Sequence, residues 1–168
     1  MKVLFVYPNH KGMNMLPPAI GLLSACLKRD GHTIELFDTT HYNSVKIDEV
    51  VDDTDSDKSK SDRLMAKPYK TPHDITLKYT NVFEDFIKLV DEFSPDLLAL
   101  STTEDMFHLG LSLLKALKGR RPLTIAGGVF PTFAPELVLS FDEIDIVCKG
   151  EGELALSELC KRIVLNQD

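Results

Sequence analysis

The sequence predicts an α/β protein: a five-stranded, doubly wound parallel sheet with helices on both faces. Three observations point there. Five short apolar runs, too short for helices, recur along the 168 residues, as expected of strands buried on both faces. Amphipathic helical stretches separate most of them, and β-α alternation makes a parallel sheet. Finally, 43% hydrophobic and 27% charged residues describe an ordinary globule large enough for one buried core.

Residues 3–7, Val-Leu-Phe-Val-Tyr, form the first run. Pro17-Pro18 opens a helix where a missing N–H costs nothing. Ile20, Leu23 and Leu27 share one face, and Gly31 stands where a C-cap belongs. Residues 32–37 alternate into a second strand that closes at Asp38. The pattern then breaks over residues 41–79, where the stretch DEVVDDTDSDKSKSD (48–62) holds seven acids and two lysines. Ordered loops longer than about 12–15 residues are uncommon, so this is expected to be a polar insertion, mobile or serving as a lid.

Order resumes at Asn81, with Glu84 at capping-box spacing and Phe83, Phe86, Ile87 and Val90 as the helical stripe. Pro95-Asp96 turns the chain into a third strand, residues 97–100, that ends at Ser101-Thr102-Thr103. A helix over residues 105–118 points Met106, Leu109, Leu113 and Leu117 inward and stops at Gly119. Residues 123–126 are the fourth strand; after Gly127-Gly128 no helix is expected at once, only a short one near 135–139. Residues 144–148 make the fifth strand, and the last helix opens at Glu151-Gly152-Glu153, where the helix dipole favours carboxylates. The expected strand order is flavodoxin-like, within the Rossmann-like group, and such sheets bind ligands outside the carboxyl ends of their strands. The segments to inspect are therefore 7–16, 101–105, 127–133 and 149–152.

Composition removes several classes. A net charge of −7 with singly scattered Lys and Arg offers no basic stripe for a nucleic acid. No apolar stretch approaches the ~20 residues that span a bilayer, and no signal peptide is visible, so no membrane partner and a cytoplasmic location are expected. Cys26, Cys148 and Cys160 are too widely spaced for a disulfide framework or a metal knuckle and read as reduced thiols.

Chemistry at the strand ends is selective. A phosphoreceiver needs acids after the first strand and Asp after the third, but Tyr7-Pro8 and Ser101 stand there; only Lys149 fits. A flavodoxin phosphate loop does not match PNHKGMNMLPP, and the glycine fingerprint of nicotinamide binding is absent. A nucleotide-sugar glycosyltransferase half-domain, suggested by GLLSACLKRDGHTIELFD, and a non-catalytic Rossmann-like interaction domain remain open. So does a cobalamin site: a corrin is a large, mostly apolar disc whose nucleotide tail needs bare backbone at a strand end, as at Gly127-Gly128. Small hydroxyls such as Ser101, Thr102 and Thr103 would meet its amides and phosphate.

Four segments carry a family resemblance: YPNHKGMNMLPPAIGLLSACLKRDGH, PDLLALSTTEDMFHLGLSLLKAL, TIAGGVFPTFAPE and VCKGEGELALSEL. In that order they resemble the amino-terminal cobalamin-binding domain of cobalamin-dependent radical S-adenosylmethionine proteins. The resemblance covers nearly the whole chain, 1–168, apart from the insertion. It implies that Leu16 and Pro17, Ser101 and Thr102, Gly127, Gly128, Pro131 and Thr132, and Gly150, Glu151, Gly152 and Glu153 surround cobalamin, with Thr103 adjoining. Where the family often has His, Phe130 stands, an aromatic face in place of a polar contact. It also implies a downstream radical barrel with a 4Fe–4S cluster and S-adenosylmethionine, acting in methyl transfer or rearrangement. Cys26, Cys148 and Cys160 cannot form the C-x-x-x-C-x-x-C motif of such a cluster, so this domain is expected to bind and not to catalyse.

Cobalamin mutases take a lower axial His from D-x-H-x-x-G after the first strand. Here Pro8 replaces the Asp that would orient the imidazole, and Gly12 comes one residue early. His10 is therefore expected not to ligate cobalt, His108 to be a surface or packing residue, and His32, His41 and His73 to serve turn and insertion polarity.

Overall fold

The computed structural model describes residues 1–10, 16–43 and 76–165. The acidic stretch 48–62, His73 and Gly12 lie outside them. Strand β1 (Lys2–Tyr7) leads through helix α1 (Pro18–Arg29) to β2 (Thr33–Asp38). After the insertion come α2 (Val82–Phe93), β3 (Leu97–Ser101), α3 (Glu104–Ala116) and β4 (Leu123–Gly127). Two five-residue helices follow, α4 (Val129–Phe133) and α5 (Pro135–Leu139), then β5 (Ile146–Val147) and α6 (Glu153–Leu165).

The five strands form one sheet in the order β2-β1-β3-β4-β5, and every pairing is parallel. This is the flavodoxin-like order, whose switch point lies between β1 and β3. Strand residues alternate between faces, and two cores result. Val3, Phe5, Leu97, Ala99 and Ile125 meet Ile20 and Leu27 of α1 and Leu156 and Cys160 of α6. Leu4, Val6, Leu98 and Leu100 meet α2 through Phe86 and Val90, and α3 through Phe107, Leu111 and Leu114.

Helix ends follow local chemistry. Pro17 is the N-cap of α1, and Gly31 lies just past its end at φ +86°. The Asn81 side chain accepts hydrogen bonds from the backbone N–H groups of Phe83 and Glu84, capping α2. The insertion leaves and returns at one point. A parallel bridge pairs Tyr42 with Lys78, and the buried Tyr42 hydroxyl donates to Asp85 Oδ2 at 2.9 Å.

Three expectations are corrected. A helix does start at once after the glycine pair, at Val129, because φ +106° at Gly128 reverses the chain. The fifth strand is Ile146–Val147, shorter than 144–148: Ile144 N donates to Phe141 O at 3.0 Å within the preceding turn, and its side chain is buried in the core. The last helix begins at Glu153, with Glu151 and Gly152 in the turn before it. The edge strand is held by Asp145, whose Oδ2 accepts from Thr124 N at 2.7 Å and from Arg121 Nη1, and whose Oδ1 accepts from Arg121 Nη2 at 3.0 Å.

Candidate functional site

A cavity of about 120 Å³ opens between the carboxyl ends of β1, β3 and β4 and the helices α1 and α6. Its existence follows from side-chain size and register. Phe5 pairs with Ala99 and Ala99 with Ile125, so these three form one row on the same face, nearly fully buried. The next row toward the strand ends pairs Ser101 with Gly127. Small residues at Ala99, Ser101 and Gly127 leave space between sheet and helices where larger ones would fill a core. Leu23 of α1 and Leu156 of α6 close the sides, and Cys148, Gly150, Glu151, Gly152 and Glu153 form the far wall.

The two glycines have different reasons. Gly127 lies in β4 with extended backbone, and a Cβ there would stand 3.7 Å from Cys148 Cβ, an ordinary contact. The structure can take a side chain at Gly127, and that side chain would occupy the cavity mouth. Gly128 has φ +106° and ψ −166°, a region essentially closed to other residues. Its Cβ would come within 2.8 Å of Thr102 O and 3.1 Å of Thr102 N. The missing side chain at Gly128 is thus explained by the close approach of the two strand-end turns, a reason separate from the expected room for a ligand tail.

Of the residues singled out from sequence, Ser101, Gly127, Gly128, Gly150, Glu151, Gly152 and Glu153 come together around the cavity. The others take different places. Thr102 is buried, and its hydroxyl donates to Thr103 O at 2.8 Å; Thr103 is the N-cap of α3. Thr132 ties two turns together: its hydroxyl donates to Gly128 O at 2.8 Å and accepts from Gly150 N at 3.1 Å. Pro131 is buried. Phe130 turns to the opposite core, its ring 5.0 Å from that of Phe107, so the aromatic face expected at the cavity is spent on packing. Leu16 is exposed and Pro17 half-buried at the entry to α1. Sequence reasoning missed Phe5, Ala19, Leu23, Ala99, Leu100, Ile125, Cys148 and Leu156 as lining residues. The one available signal was Ala99 and Ser101, small residues two apart in a strand otherwise built of leucines.

Electrostatically the cavity is uncharged at depth and acidic at its mouth. Among the described residues that line it none is Lys, Arg or His, and the carboxylates are Glu151 and Glu153. Burial raises the Cys148 thiol pKa, and the Glu153 charge adds to the rise, so the thiol is neutral. His10 lies elsewhere, its Nδ1 3.3 Å from Met106 Sδ on α3, and His108 is exposed. The loop after β1 is held by Asn9, which is buried: its N–H donates to Thr39 Oγ1 at 2.7 Å and its Nδ2 to Thr40 Oγ1 at 3.0 Å. Among the described residues no three His, Cys, Asp or Glu side chains gather to hold a metal, and no helix is long and apolar enough to cross a membrane.

The sequence profile of the B12-binding domain covers residues 69–160, more than half of the chain. This chain belongs to the B12-binding domain family. Cobalamin binding is accordingly the function its family supports. An uncharacterized methyltransferase of Pyrococcus horikoshii is 29% identical to this B12-binding domain over 102 residues, 56% of the chain and 22% of that protein. The radical S-adenosylmethionine methyltransferase TsrM of Kitasatospora setae, solved with cobalamin and a 4Fe–4S cluster bound, matches 99% of the chain with a TM-score of 0.64. Its sequence identity of 19% makes this a likeness of fold, and the B12-binding domain spans 25% of that chain.

Proposed function

We propose that this B12-binding domain carries cobalamin for a radical S-adenosylmethionine enzyme that performs methyl transfer or a rearrangement, and that the cavity receives the nucleotide tail. The observation that carries the reading is the cavity itself: an apolar slot at the strand ends, kept open by Ala99, Ser101 and Gly127. Small-ligand pockets run to about 300–1,000 Å³, so 120 Å³ takes only part of a cobalamin. The corrin would lie outside the cavity, and Val129 and Phe133, one turn apart on α4 directly after Gly128, are exposed apolar side chains available to it. Ser101 and the Gly150–Glu153 turn would meet the tail's polar atoms, and Thr132 would hold the glycine turns in place.

When bound, cobalamin would supply the cobalt chemistry of the methyl group or radical; Ser101, Gly127 and the Gly150–Glu153 turn would bind and orient it. The cluster and S-adenosylmethionine belong to a downstream radical domain, since Cys26 stands on α1, Cys148 after β5 and Cys160 on α6, on separate elements. The likeness to TsrM and to the Pyrococcus methyltransferase supports this assignment.

The test is Gly127→Val. The protein is incubated with hydroxocobalamin, desalted and read by absorbance, with the thermal midpoint measured beside it. Retention should fall about tenfold or more while the midpoint moves by only a few degrees. Unchanged retention would refute the tail site. UDP-sugars, the ligands of the glycosyltransferase alternative, should neither bind nor compete.

A further inference from the structure

We propose that the cavity selects the class of cobamide: it favours a benzimidazole lower base and discriminates against a purine one. The inference rests on the tail occupying the cavity, as above. The floor is the registered row Phe5, Ala99 and Ile125, exposed by only 1%, 5% and 6%. Every side chain there is hydrocarbon. The strands' backbone N–H and C=O groups are engaged in the ladders between β1, β3 and β4. Polar side chains stand at the walls and mouth, at Ser101, Cys148, Glu151 and Glu153.

A base entering from the mouth leads with the ring edge away from its ribose. In 5,6-dimethylbenzimidazole that edge is a benzenoid ring with two methyl groups, which suits a hydrocarbon floor. In adenine it carries ring nitrogens and an amine, which would leave water and find no partner. An anionic phosphodiester is excluded from the floor for the same reason, and among the described residues no cation lines the cavity to hold one. Because a base of the same shape still enters, discrimination is set by the unpaired polar atoms, about ten- to a hundredfold.

The experiment measures dissociation constants of the whole protein for three probes in their dicyano forms, in which no lower base has to leave cobalt first: cobalamin, the cobamide bearing adenine as lower base, and cobinamide, which has no tail. Cobalamin should bind at least about tenfold tighter than the adenine cobamide, and cobinamide more weakly than cobalamin. Equal affinity for cobalamin and the adenine cobamide, with cobinamide weak, overturns the selectivity and leaves the tail site standing. Cobinamide binding as well as cobalamin, or no probe binding, overturns both. Ala99→Ser puts an acceptor in the floor and should narrow the ratio between the two bases several-fold; an unchanged ratio in a folded variant counts against the floor as the discriminating surface.

Discussion

Replacing Gly128 by alanine isolates the backbone term of this site. The residue sits at φ +106°, ψ −166°, a region where a side chain costs about 1–3 kcal/mol. The new Cβ also meets backbone, Thr102 O at 2.8 Å and Thr102 N at 3.1 Å, and backbone cannot rotate away. Thr102 N in turn donates to Gly127 O at 3.1 Å, so relief requires opening the β3–β4 junction and weakening a ladder-end hydrogen bond, another ~1 kcal/mol. The total is about 2–4 kcal/mol. For a chain of this size 1 kcal/mol moves the thermal midpoint by about 2–4 °C, so Gly128→Ala should melt roughly 5–15 °C lower. Gly127→Ala, with ordinary extended backbone and a 3.7 Å contact, should stay within about 1 kcal/mol of the parent. Chemical denaturation of both variants, with the slope checked for constancy, gives the comparison. Equal stability of the two variants would refute the assignment of separate roles to adjacent glycines.

Further outcomes follow from the same geometry. Hydrogen bonding to Arg121 and to Thr124 N holds the Asp145 carboxyl below its usual range; stability from it is present above the unfolded pKa of about 3.9 and lost as pH falls through the lower folded value. Asp145→Asn should therefore cost about 1–2 kcal/mol at neutral pH and flatten the acid side of the stability curve; an unaltered acid limb would exclude the linkage. The Cys148 thiol, raised by burial and by Glu153, should alkylate slowly near pH 7 and faster as pH rises, and bound cobalamin should protect it several-fold. Cys160, fully buried with its pKa near 11, should stay unlabelled in both states. Peptide mapping by mass spectrometry reads this, and equal labelling of Cys148 with and without cobalamin would remove it from the ligand's path. His10→Ala should leave the cob(III)alamin spectrum unchanged, and paramagnetic resonance of cob(II)alamin should show no nitrogen superhyperfine splitting; a band shift in the variant would make His10 a cobalt ligand.

What the sequence by itself determined was local. Continuous apolar runs placed β1, β3 and β4 within a residue, because strands buried on both faces must be apolar at every position. Pro18, Gly31 and Asn81 marked helix ends through backbone constraints that act within one turn. The strand-end segments were legible as the place for a ligand, since β-α alternation fixes the topology that puts them on one edge. The tertiary structure decided the rest. Whether Gly127 or Gly128 spares room for a ligand depends on φ at one residue and on Thr102, twenty-six positions earlier in the chain. Phe130 turned to the Phe107 side because α4 begins directly after Gly128, a reversal no periodicity encodes. The cavity itself comes from small residues aligned across β3 and β4 by register, facing Leu23 and Leu156 from distant helices. Empty volume is the absence of atoms from several elements at one point, and no single stretch of sequence carries it.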